Sequence, residues 1–141
     1  MSQNGWSLHP QLIADTALVC DLALSRVLAM NDASFPWLIL VPRRAGVSEI
    51  FDLGGEQAAL LDEVSLASRV LKDVTQCDKL NVAAIGNVVP QLHVHIVARR
   101  KDDALWPKPV WGAAAPRVYE AAALERFATT IRDQLRGASS L

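Results

Sequence analysis

A chain of 141 residues, 51% hydrophobic and 21% charged, is long enough to bury the core of one domain and too apolar to be disordered. Its 14 Lys and Arg against 15 Asp and Glu leave a formal charge of -1, without the basic excess that polymeric nucleic acid would demand of a partner. The opening residues carry no basic or apolar leader, and the longest strongly apolar run, residues 37–41, is far too short to cross a bilayer; a cytoplasmic protein with no membrane partner is expected. Cys20 and Cys77 form no CxxC pair and read as two thiols in a reducing compartment.

In chain order, residues 9–17 suit a short helix with Pro10 in its first turn. Three β-like stretches follow at about 17–22, 26–30 and 37–42, the last two joined by the turn-forming Asn31-Asp32-Ala33-Ser34. Such short connections favour an antiparallel meander, because parallel crossovers need a dozen or more linking residues. After Gly54-Gly55, the residues Leu60, Val64, Ala67, Leu71 and Val74 share one helical face, and the spacing predicts a helix over about 56–76. A strand over 79–85, a break at Gly86-Asn87 and a strand over 89–99 come next. Trp106-Pro-Lys-Pro-Val-Trp-Gly112 belongs to an irregular Trp/Pro-rich arm of about 102–116, since its prolines fit neither a helix interior nor a central strand. A second amphipathic helix over about 117–136 buries Leu124, Phe127, Ile131 and Leu135. No repeat or linker divides the chain. The expectation is one domain over 1–141 of the α+β class, with about five antiparallel strands, one long helix and a C-terminal helix.

Chemistry concentrates in Gln91-Leu92-His93-Val94-His95. If the segment is a strand, its period of two sends Gln91, His93 and His95 to one face and Leu92, Val94 and Ile96 to the other. Two imidazoles about 6–7 Å apart along a strand can divide the work of nucleophile and donor to an anion. The same row also fits the polar face of an amphipathic strand, or two ligands of a metal ion. A metal would need further ligands, and the remaining histidine, His9, is distant in sequence while Asp102 and Asp103 are not required by any spacing. The pattern alone leaves these readings open.

The segment Val89-Pro-Gln-Leu-His-Val-His-Ile-Val-Ala-Arg99 closely resembles the signature of the histidine triad (HIT) family, three histidines alternating with apolar residues and often followed by Arg. Supporting features run in the same order over roughly residues 18 to 100: the meander with Asp32 at a turn, Leu38-Ile-Leu-Val-Pro42, the long helix, Asn81 on the preceding strand and Gly86-Asn87. The downstream Asp102–Gly112 stretch resembles a bacterial subset called diadenosine polyphosphate hydrolase-like. The resemblance implies an enzyme that hydrolyses or transfers a nucleoside monophosphate from a phosphorus-linked leaving group, such as a diadenosine polyphosphate or an AMP phosphoramidate.

It also implies particular roles. His93 would attack the α-phosphorus and form a covalent nucleotidyl intermediate, with no cofactor or metal, while His95 would bind the phosphate. Asp32 would receive the ribose hydroxyls, and Asn81, Asn87 and Gln91 would line the substrate site. A small nucleotide would be the partner, and a homodimer with sheets joined edge to edge the assembly. Two positions depart from the family pattern: Gln91 replaces the first histidine and cannot protonate, and Val88 stands where many relatives place a Ser or Thr hydroxyl on the phosphate. A nucleotide-binding module with weak or no catalysis is the alternative that these departures suggest. Trp106 and Trp111 would cover the site, meet a dimer partner or simply pack the arm.

Overall fold

The structure, a computed structural model, describes residues 5–113 and 115–139. Residues 1–4, residue 114 within the expected arm, and residues 140–141 lie outside that description. Five strands, β1 Thr16–Asp21, β2 Ser25–Met30, β3 Trp37–Pro42, β4 Lys79–Ala83 and β5 Val94–Arg99, form one sheet in the order β1-β2-β3-β5-β4 with every pairing antiparallel. The helices are α1 Pro10–Asp15, α2 Gln57–Thr75 and α3 Ala121–Ser139. The architecture is α+β, as the meander and the two amphipathic helices predict.

Both faces of the sheet are covered, and strand alternation assigns the residues to each. Val27, Ala29, Leu38, Leu40, Ile96 and Ala98 turn to one face, where they meet Ala67 and Leu71 of α2 and Ala128, Ile131 and Leu135 of α3. Leu28, Trp37, Ile39, Val41 and Val97 turn to the other, under Trp6, Leu12, Val89 and Val110. Among the described residues no long helix covers this second face. Its lid is assembled from the N-terminal segment, α1, the loop before β5 and the Trp/Pro arm. The histidines lie on this face.

Glu63, off the apolar stripe of α2, is nevertheless buried. Its carboxylate accepts hydrogen bonds from the backbone N–H groups of Leu24 and Ser25 at 2.8 and 2.9 Å, which satisfies the tight β1–β2 connection. A 3-10 segment over Ile50–Glu56 precedes α2 and is itself kinked at Gly54, whose φ of 57° and ψ of -123° a side chain would disfavour. The final helix starts at Ala121 rather than near 117, because the intervening backbone is used elsewhere. Arg117 N–H donates to Asp32, Arg117 C=O accepts from Ala33 N–H, and Tyr119 N–H donates to the Asn31 side chain. Residues 31–33 and 117–119 are thereby laced together.

Candidate active site

Residues 89–99 do not form the single strand expected of them. Pro90 has no N–H for a ladder, and Leu92 N–H bonds to Val47 C=O at 3.0 Å rather than to a strand neighbour, so β5 begins only at Val94. Gln91 occupies a bend and His93 the last position before the strand. Only His95 of the row is held by regular pairing, opposite Ile39 of β3 and Ala83 of β4. The bend still brings the two imidazoles together, with centroids 4.9 Å apart and planes at 67°. Both are buried, at 7% and 6% exposure.

The partners of each ring fix its tautomer. His93 Nδ1 lies 2.7 Å from the Gln91 carbonyl oxygen, which can only accept, so Nδ1 carries the proton and in the neutral ring the lone pair is on Nε2. His95 Nδ1 is 3.0 Å from Nε1 of Trp37, which can only donate, so Nδ1 holds the lone pair and Nε2 carries the proton. Burial, helped by the neighbouring His93, pushes the His95 pKa down to about 4 and keeps that ring neutral. One imidazole therefore presents a lone pair and its neighbour an N–H. That is the division of labour needed to attack an electrophile while holding an anionic oxygen attached to it.

A cavity opens on either side of the pair. The first, about 330 Å³, is bordered by Asp32, Asn31, Trp37, His95 and Trp111 together with Met30, Val110 and Pro116. Trp111 stands edge-on to His95 at 5.5 Å and to Trp37 at 6.2 Å, so the cavity has an aromatic wall, and Asp15 and Asp32 are the acidic residues of its lining. The second, about 360 Å³, is bordered by His93, Gln91, Pro90 and Gly86 on one side and Ser48, Glu49, Ile50 and Phe51 on the other. Among the described residues neither lining contains Lys or Arg. Among the described residues, no three His, Cys, Asp or Glu side chains converge as a metal would require.

Of the residues singled out in the sequence, His93, His95 and Asp32 come to one region, whereas the amides go different ways. Asp32 is 7% exposed, and its Oδ1 accepts from Ser34 N–H at 3.0 Å and Arg117 N–H at 3.3 Å. Asn81 turns to Arg99, accepting from Nη1 at 3.0 Å, and borders neither cavity. The reason lies in Arg99, a fully buried guanidinium that needs acceptors: Asp103 supplies two at 2.7 and 3.0 Å, and Asn81 the third. Asn87 and Val88 are exposed on the loop ahead of the histidines and border neither cavity. The Gln91 side chain reaches away from the rings to the backbone of Ser7 and His9.

Sequence reasoning overlooked Trp37, Asn31 and Glu49. Trp37 carried a signal, as the one aromatic residue in an otherwise aliphatic strand. Trp111 does join the site, while Trp106 lies against the Arg99 guanidinium at 5.7 Å. Cys20 and Cys77 are free thiols.

A model of the HIT domain matches residues 11–102, and the chain belongs to the HIT family. Its fold coincides with crystal structures of histidine triad proteins from several bacteria. One from Bradyrhizobium japonicum is 53% identical, with a TM-score of 0.89 over 92% of this chain and 98% of that one. Another from Marinobacter aquaeolei is 41% identical, with a TM-score of 0.90 over 94% and 97%. A third from Sinorhizobium meliloti is 40% identical, with a TM-score of 0.89 over 92% and 97%. No protein of curated function matches the sequence.

Proposed function

We propose that this HIT protein is a nucleotide hydrolase or nucleotidyl transferase acting at the α-phosphate of a nucleoside monophosphate conjugate through His93. The carrying observation is the tautomer pair: a lone pair on His93 Nε2 beside a proton on the neutral His95 Nε2. His93 Nε2 attacks phosphorus. The bond from phosphorus to the leaving group breaks, and that group departs with the electron pair. His95 donates its N–H to a phosphate oxygen throughout. Water or another acceptor then attacks the phosphorus of the nucleotidyl-His93 intermediate and gives up its proton to solvent, the P–N bond breaks, its electrons return to Nε2 and the nucleotide leaves.

The first cavity suits the nucleoside. Its aromatic wall offers a face or edge to a base, and Asp32 can accept from a ribose hydroxyl. The second cavity, on the His93 side, suits the leaving group. Its lining includes Glu49 and no Lys or Arg, which favours a leaving group of low negative charge over a long polyphosphate. Gln91 cannot protonate, so a leaving group of low basicity is favoured as well.

The same reading includes a homodimer. β4 is a sheet edge, and beside it Val82 is 50% and Leu61 of α2 66% exposed, along an apolar groove of about 340 Å³. An unpaired strand edge flanked by apolar surface is suited to a second copy of itself.

The test is a substrate panel, comprising diadenosine polyphosphates, an AMP phosphoramidate and nucleotidyl sugars, with wild type and His93→Ala. Turnover by wild type that vanishes in a folded His93→Ala protein is the expected result. Equal rates for the two proteins would end the proposal. Nucleotide binding without any turnover would leave the binding-module alternative.

A further inference from the structure

The carbonyl that aims His93 is not part of the sheet. β5 starts at Val94, so strand pairing does not orient residues 91–93, and the Gln91 carbonyl must be held by other means. One anchor is Leu92 N–H on Val47 C=O at 3.0 Å, which fixes the far end of the Gln91–Leu92 peptide plane. The other is the Gln91 side chain. Its Oε1 accepts from His9 N–H at 2.9 Å, and its Nε2 donates to Ser7 C=O at 2.9 Å.

Both ends of the amide are thus used on a backbone donor and acceptor two residues apart, as a strand neighbour would use them. The segment it grips is itself anchored. Trp6 is 2% exposed in the second core with the Arg26 guanidinium 5.2 Å from its ring, and Leu12 is buried beyond.

We propose that Gln91 is a positioning residue. Its side chain clamps the segment 7–9, and the clamped segment holds the carbonyl that fixes the tautomer and direction of His93. Glutamine is the residue that offers a donor and an acceptor in this fork. Glutamate would lose the donor and set a charge against the Ser7 carbonyl. On this view the N-terminal segment belongs to the nucleophile's support, and the Gln91 side chain acts through that segment rather than by giving a proton.

The test uses the full-length protein labelled with ¹⁵N in its histidines. Imidazole nitrogen shifts report the His93 tautomer without any turnover, and kcat and KM on an AMP ester report function. Gln91→Met removes the fork. His9→Pro removes the backbone partner together with the imidazole that accepts from Gln11 N–H, at a residue whose φ of -57° suits proline, and His9→Ala, which loses the imidazole and keeps the backbone N–H, is the control.

The Met and Pro variants are expected to mix the His93 tautomers and lower kcat by roughly five- to twentyfold with KM within about twofold, while His9→Ala matches wild type. A wild-type imidazole pattern in both variants would overturn the proposal. Should Gln91→Met fail to fold, His9→Pro decides alone. The kinetic measurement rests on His93 being the reacting group. If wild type turns over nothing, that reading fails, and the imidazole pattern still decides the role of Gln91.

Discussion

The indole N–H of Trp37 points at Nδ1 of His95 across the β3–β5 pair, 3.0 Å away. Trp37 is opposite Val97, so it reaches His95 diagonally, two residues along β5, as a long aromatic side chain can. This bond decides which His95 nitrogen carries the proton. Trp37→Phe keeps most of the apolar bulk and deletes the donor. The expected result is a mixture of His95 tautomers and a fall in kcat of about three- to tenfold, from the weakened donor to the phosphate. Imidazole ¹⁵N shifts of His95 that match wild type would show that Trp37 does not set the tautomer.

His95 should also leave its mark on stability against pH. Its folded pKa of about 4 lies below the ordinary 6.5, so on acidification the unfolded chain takes up the proton first. Above 6.5 neither state is protonated there and nothing is lost. Between 6.5 and about 4 the unfolded state is increasingly favoured, and below that the loss is complete. The ceiling on this contribution is about 3 kcal/mol. Urea midpoints between pH 7 and 4 should fall in wild type and fall less in His95→Asn. Parallel curves for the two proteins would contradict the assignment.

The ion pair between Arg99 and Asp103 anchors the start of the Trp/Pro arm. Arg99 holds the Asp103 carboxyl down to about 2, and Asp103 also accepts from the N–H groups of Arg100, Leu105 and Trp106. Asp103→Ala leaves a guanidinium with 1% side-chain exposure short of its main partner. A loss of about 3–5 kcal/mol is expected by chemical denaturation. A loss below about 1 kcal/mol would mean that the arm readily repairs the defect.

Val82→Lys places a charge on the free side of β4, within the apolar groove proposed to meet a second copy. Light scattering should report a dimer for wild type and a monomer for the variant at micromolar concentration. A wild-type monomer, or a variant that stays dimeric, would remove this edge from the assembly.

The sheet and long helices were legible because their signals are periodic. The β3 range expected from the sequence coincides with Trp37–Pro42, and α2 falls one residue inside the expected span at each end. Leu60, Ala67 and Leu71 are buried as the stripe required. What periodicity missed was decided by partners far away in sequence. The segment before Val94 left the sheet because Leu92 found Val47, and α3 began late because residues 117–119 were bound to residues 31–33. Within the site, His93 and His95 were readable from their motif. Asn81 was not, since a conspicuous amide on a neighbouring strand gives no sign of the buried arginine that claims it. Gln91 was legible as a departure from the triad but silent about its grip on Ser7 and His9.

The near-perpendicular Trp37 and Trp111, 6.2 Å apart at 86°, have an optical consequence. Two of the chain's four indoles border the cavity assigned to the nucleoside, and both lie within 6 Å of the same imidazole. A base entering beside them would alter the polarity and quenching that these chromophores feel, whereas Trp6, buried between the N-terminal segment it belongs to and the sheet, is not among that cavity's walls. Intrinsic emission therefore gives the protein a built-in gauge of occupancy, read without a label, with Trp37→Phe and Trp111→Phe separating the contributions of the two walls.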